Sequence, residues 1–208
     1  MDEVHEFCRR VLGPGGDADE AAREALSEPR GSRVALLAGA ARACRGRAVE
    51  HGESVSNGGV PGDLAGAVEA EVRDAVARLP ERQREALALR EVLWLSHEQI
   101  AEVMGIDAAA TAPLLARARL RLRELRRGAP PAPATCDQRD RALRALARRQ
   151  DSEPLTGEDD EWLFVHLGTC PECDRAHAAM IEASVCYRAV PASSGTGAEV
   201  PPVPSTPE

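Results

Sequence analysis

The clearest chemistry in this chain lies in a histidine and two cysteines at close spacing, His166-x-x-x-Cys170-x-x-Cys173. Two thiolates separated by two residues can grip one ion from a single turn of chain, and a histidine one helical turn earlier adds a nitrogen donor. A tetrahedral ion needs a fourth ligand. Cys136, thirty residues before His166, is the candidate, and it completes a Cys3His set suited to one structural Zn2+ ion. The same spacing also fits a metal-free CxxC redox pair or incidental core cysteines. His177 is a weaker ligand candidate and reads as a surface residue of the last helix. Cys8, Cys44 and Cys186 have no partner at ligand spacing and read as small buried residues.

A second constellation is basic. All 26 basic residues are arginine, and six of them stand with one glutamate between Arg117 and Arg127, a local charge of +5 in a chain of net charge -8. Such a stripe suits a phosphate backbone, although a solvated helix face has the same composition. Dividing the chain after Asp63 and after Gly128 sets 8 arginines against 11 acids, then 11 against 10, then 7 against 13. The segments therefore carry -3, +1 and -6, so the acidic third part can complement the basic stripe. No nucleophile-base-orienter set, phosphate loop or open metal site is visible, which argues against an enzyme.

The elements that must position these residues are helical. Aromatics amount to 2% (Phe7, Trp94, Trp162, Phe164, Tyr187), and Ala, Leu, Arg and Glu dominate over β-branched residues. The expected fold is all-α: small helical modules joined by flexible linkers, with sandwiches and barrels excluded. No apolar run approaches the length of a membrane span, and the amino terminus MDEVHEF is acidic where a signal peptide is basic. The expectation is a soluble, cytoplasmic protein with reduced cysteines and no membrane partner.

Residues 1–45 read as helices broken at SEPRG, 46–63 as a Gly- and Ser-rich linker, 129–135 (APPAPAT) as a second linker, and 191–208 as a disordered tail. Within 64–128 the helix signals are dense. Pro80 ends one helix, a second runs from about Glu81 to Leu93, and Ser96 with Gln99 forms a capping box. Leu95 and Ile100 make a hydrophobic staple, and Gly105 is the left-handed stop. A longer helix follows, with the apolar stripe Leu115, Ala118, Leu122 and Leu125 and with Arg117, Arg119, Arg121 and Arg123 on its flanks. A short capped helix, a glycine turn and a long basic helix make a helix-turn-helix. In 136–190, Thr156 caps a helix carrying His166, and Cys-Pro-Glu-Cys is expected as a tight loop before the last helix.

LPERQREALALREV, LSHEQIAEVMGI and LARARLRLREL, in that order, resemble region four of the extracytoplasmic-function (ECF) sigma factors, which reads the −35 promoter element. The resemblance implies DNA contacts at Thr111, Arg117, Arg119, Arg121 and Arg123. The chain departs from the family at the start of the recognition helix, where Ala109, Ala110, Thr111, Ala112, Pro113 and Leu114 replace polar base-reading residues. Proline is tolerated there only in a first turn, which would start the helix near Thr111. DADEAAREAL and Val34 to Arg45 are similar to region two of the same family, implying core RNA polymerase contacts at Asp19, Glu20 and Arg42. Only Phe7 precedes Trp94 as an aromatic, a poor endowment for stacking unpaired bases. Cys136 to Arg188, with HLGTCPEC, resembles the zinc-binding anti-sigma domain, which implies the Cys3His ligand set and, in some relatives, redox-sensitive zinc.

Together these imply a transcription-initiation regulator of the ECF sigma type that binds core RNA polymerase and promoter DNA, with an attached zinc domain that restrains or tunes it. The alternative is an interaction protein that binds another sigma or anti-sigma factor, or RNA polymerase, without promoter recognition.

Overall fold

The computed structural model describes residues 2–13, 15–27, 31–50, 64–128 and 135–190. Its elements are α1 (Asp2–Leu12), α2 (Gly16–Ser27), α3 (Arg33–Glu50), α4 (Leu64–Ala77), α5 (Glu81–Glu91), α6 (His97–Met104), α7 (Ala108–Arg127), α8 (Arg139–Gln150), α9 (Gly157–Thr169) and α10 (Pro171–Ala189). No strand occurs among the described residues, and the fold is all-α. No helix there is long and apolar enough to cross a membrane.

The first three helices bury one face each. Val4, Phe7, Cys8 and Val11 repeat at three and four along α1, and Ala18, Ala21, Ala22 and Ala25 do so along α2, so each is a stripe one helix face wide. Helix α3 runs to Glu50, five residues into the stretch expected as linker. Polar anchors replace the missing apolar period: Arg45 meets Glu85 of α5 at 2.6 Å and Arg47 meets Glu24 of α2 at 2.7 Å. The rest of that expected linker, residues 129–134 of the second and the expected tail lie outside the described residues.

The helix-turn-helix is built on local rules. Ser96 Oγ accepts from the Gln99 backbone and the Gln99 side chain accepts from the Ser96 backbone, which closes the capping box of α6. Gly105 ends α6 at φ 62°, a conformation that favours glycine. Asp107 then caps α7 by accepting from Ala109 N–H at 2.7 Å. The helix therefore starts at Ala108 rather than near Thr111, and Pro113 sits in its interior. The Ala109 carbonyl lacks its intrahelical donor as a result, but Ala109 is exposed and open to solvent.

Two apolar cores meet along α7. One joins α1–α3 to α4–α7 and takes in Ala183 and Tyr187 from α10. The other sets Ala112 and Ala116 of α7 against Leu143 and Leu146 of α8, Leu163 of α9 and Met180 of α10, with Leu120 packed at its edge. Helix α7 thus has two buried faces and only a narrow exposed one.

Candidate functional site

Helices α8, α9 and α10 bring the four expected metal ligands together. The ligand atoms of Cys136, His166, Cys170 and Cys173 all lie within 4.8 Å of one another, and Cys136 Sγ is 3.5 Å from His166 Nε2. Sulfur ligands on a tetrahedral ion are about 3.8 Å apart, so the cluster can close on a metal with little movement. Each ligand is held from behind. Cys136 precedes α8, and the neighbouring Thr135 donates through its backbone at 2.8 Å and its hydroxyl at 2.6 Å to Glu172, which also takes Arg139. The Thr135 bonds, with Arg139 behind them, hold the Glu172 carboxyl down at about 2. His166 lies in the last turn of α9 and stacks on Trp162 at 4.7 Å, while the Arg141 guanidinium lies over the Trp162 ring at 4.3 Å.

Cys-Pro-Glu-Cys is the start of α10 rather than a separate loop: Cys170 is the N-cap and Pro171 opens the first turn, where its missing N–H costs nothing. At this helix start the Cys173 backbone N–H is the chief influence that holds the Cys170 thiol below the usual thiol range. Burial, followed by the neighbouring thiols, pushes Cys173 up. Three thiols and an imidazole whose ligand atoms lie within 4.8 Å of one another form a donor set that fits a metal of the zinc type.

The remaining cysteines and His177 stand apart. Cys8 and Cys44 are fully buried between α1 and α3, and the Cys44 thiol is pushed well up by its hydrogen bond with Cys8 and then by burial. His177, half-buried on α10, lines a shallow groove with Phe164 and Val165 of α9 and is not part of the cluster.

The arginine stripe divides. Arg117 and Arg121 are exposed, and Arg121 pairs with Glu124 on its own helix, at 3.3 Å. Arg123 reaches Glu182 of α10 at 2.9 Å, as do Arg126 and Arg127. Against burial, Arg127 and Arg123 hold the Glu182 carboxyl below its ordinary range. Two of the expected DNA contacts are covered in this structure. Thr111 is fully buried, and Arg119 is 1% exposed, its guanidinium held by Glu91 of α5 at 2.7 Å and by Asp151 at 2.6 Å. Neither side chain is open to a phosphate in this arrangement. The reason is the second apolar face of α7, which turns the Arg119 side of the helix inward.

Sequence reasoning missed the network around Arg119. Asp151, just past the end of α8, also takes His97 of α6 at 2.8 Å and Arg90 of α5 at 3.0 Å. Burial would raise its carboxyl, but the hydrogen bonds from His97 and Arg119 and the charges of Arg119 and Arg90 win and hold it at about 2. From α10, Ser184 and Arg188 close on Glu91 at 2.7 and 2.8 Å, and Arg188 also lies 5.4 Å from the ring of Trp94. The bonded partners are 28 to 97 residues apart along the chain, so no local spacing marks them.

Among the expected polymerase contacts, Asp19 is paired with Arg9 at 3.0 Å. Glu20 lies 3.8 Å from Arg23 and 4.0 Å from Arg47, and Arg42 is exposed.

Residues 69–122 match a family model described as Sigma-70, region 4. The matched stretch begins within α4 and ends within α7, so it takes in the helix-turn-helix and leaves α1–α3 and α8–α10 outside. It supports a sigma-factor-like, DNA-binding role in transcription initiation, in which RNA polymerase and promoter DNA are the partners of such a region. No curated protein matches the chain.

Proposed function

We propose that this protein is a cytoplasmic transcription-initiation regulator of the ECF sigma type, restrained by its own C-terminal zinc module. In this reading α1–α3 dock on core RNA polymerase through Asp19, Glu20 and Arg42. The α4–α7 unit meets promoter DNA through Arg117 and Arg121, joined by Arg119 and Arg123 once α8–α10 move away. One Zn2+ on Cys136, His166, Cys170 and Cys173 ties the entry to α8, the end of α9 and the start of α10 into one body; its role is structural. The protein's own residues do the restraining. Leu143 and Leu146 cover Ala112 and Ala116 of the recognition helix, Asp151 holds Arg90, His97 and Arg119, and Glu182 gathers Arg123, Arg126 and Arg127.

The observation that carries this reading is the α7–α8 contact, because it lies on the helix that would enter the major groove. The test is the affinity of the full-length protein for core RNA polymerase and for duplex DNA, zinc-loaded and after chelation. Binding of both that strengthens when zinc is removed supports restraint. Absence of binding to either in both states overturns the sigma reading.

One observation favours a second reading, an interaction protein that binds another sigma factor or RNA polymerase without reading a promoter. The exposed first turn of α7 is Ala108, Ala109 and Ala110, which offers no polar group to a base edge. Polymerase binding without any sequence preference on DNA would select it.

A further inference from the structure

The turn that follows α8 lays two carboxylates, Asp151 and Glu153, on the helix-turn-helix. Ser152 between them is left-handed at φ 57°, a reversal that lets two acids so close in sequence address one surface. Asp151 accepts from His97 Nε2 at 2.8 Å, from Arg119 Nη2 and Nη1 at 2.6 and 3.1 Å, and pairs with Arg90 Nε at 3.0 Å. Glu153 accepts from the backbone N–H of His97, the first residue of α6, at 2.9 Å. That amide is one of the donors a helix start leaves unpaired, because the Ser96 cap serves Gln99 instead. An arginine fork, an imidazole and a helix-start amide converging on one place form a set that binds phosphate.

The donors also survive the loss of the loop. Glu91 takes the Nε and Nη2 side of Arg119, leaving the Nη1 and Nη2 edge to Asp151, and Arg90 Nη1 stays on the Leu95 carbonyl. Departure of Asp151 therefore opens donor edges without leaving a bare buried cation, the condition that would make opening prohibitive.

We propose that the Asp151–Glu153 loop is an intramolecular stand-in for nucleic-acid backbone phosphates, and that duplex DNA competes with it for Arg90, Arg119, the His97 ring and the His97 amide. The proposal rests on the α4–α7 unit facing DNA. It adds a phosphate-binding set that includes Arg90 and His97, and it names what occupies that set in the closed protein.

The test uses the zinc-loaded full chain and a mixed-sequence duplex, with mobility shifts at roughly 50 and 200 mM salt. Glu153→Gln keeps the size of the side chain and lies at the surface side of the loop. It is expected to tighten binding roughly five-fold, the scale of the charge assistance lost from a hydrogen bond that the glutamine oxygen still accepts, and to change the salt slope by at most about one phosphate contact. Asp151→Asn, if it folds, should do more. A Glu153→Gln protein with unchanged circular dichroism and with wild-type affinity and slope overturns the proposal. If chelated protein binds the duplex while Glu153→Gln changes nothing, the DNA-facing reading stands and the competition alone falls. If neither the wild type, the variant nor the chelated protein binds at low salt, both fall.

Discussion

Asp151→Asn tests the buried network most directly, since it removes one charge and almost no volume. In the native protein the Asp151 carboxyl sits at about 2 against an ordinary 3.8, which corresponds to about 2–3 kcal/mol of net stabilisation of the charged form. Breaking a buried pair by removing one partner costs about 3–5 kcal/mol when the other charge is stranded. Here Arg119 keeps Glu91 at 2.7 Å, so the expected loss stays nearer the lower figure, about 2–4 kcal/mol. For a chain of this size that lowers Tm by roughly 4–16 °C. The sign in pH follows from the direction of the shift. A depressed carboxyl contributes fully above about pH 4 and loses its contribution as the pH falls through about 2. Glu172, also held at about 2, titrates in the same window, so the diagnostic is the difference between wild type and variant. The gap should be full at pH 7 and shrink between about pH 4 and 2. Urea unfolding across that range measures it. A variant within about 0.5 kcal/mol of wild type at pH 7, or a gap that does not shrink in acid, would refute the assignment of Asp151 as the joint.

Other perturbations address separate parts. Cys136→Ser should lower the affinity for zinc strongly while leaving the α6 capping box intact; competition against a chromogenic chelator reads it, and unchanged affinity removes Cys136 from the ligand set. Leu146→Ala empties a fully buried site between α7 and α8 and should cost about 2–5 kcal/mol, with faster hydrogen exchange concentrated in α8–α10. Exchange that instead rises evenly through α1–α3 would contradict that localisation. Ser96→Ala removes one half of a closed capping box and should cost about 1 kcal/mol by chemical denaturation, with no change in zinc content.

What could be read from the sequence was local chemistry. Ser96 with Gln99, the Gly105 stop, the Thr156 cap and the His166, Cys170, Cys173 spacing each depend on neighbours within a turn or two, and each stands in the structure as read. Cys136 was also reachable, because a tetrahedral site demands a fourth donor. What could not be read belongs to residues whose environment is set by distant chain. Arg119 looks like a solvent-facing flank beside the Leu115, Ala118, Leu122 stripe, yet a second stripe of Ala112, Ala116 and Leu120 turns it inward. Alanine is equally at home on a surface and in a core, so that stripe carried no signal. Helix α3 outran its apolar pattern because arginine anchors on Glu24 and Glu85 hold its last turns. Pro113 lies deeper in α7 than its chemistry suggests because Asp107 caps the helix earlier.

The two tryptophans of the chain sit on different joints. Trp162 stacks on His166 and on Arg141, so its emission should respond when the imidazole is captured by a metal ion and the ring stack stiffens. Trp94 is 62% exposed and lies 5.4 Å from the Arg188 guanidinium of α10, so its emission should respond when α10 lifts away and that cation leaves. Phenylalanine variants at either position would separate the two signals, so the order in which metal release and module opening occur becomes a kinetic question answerable with the chain's own fluorophores.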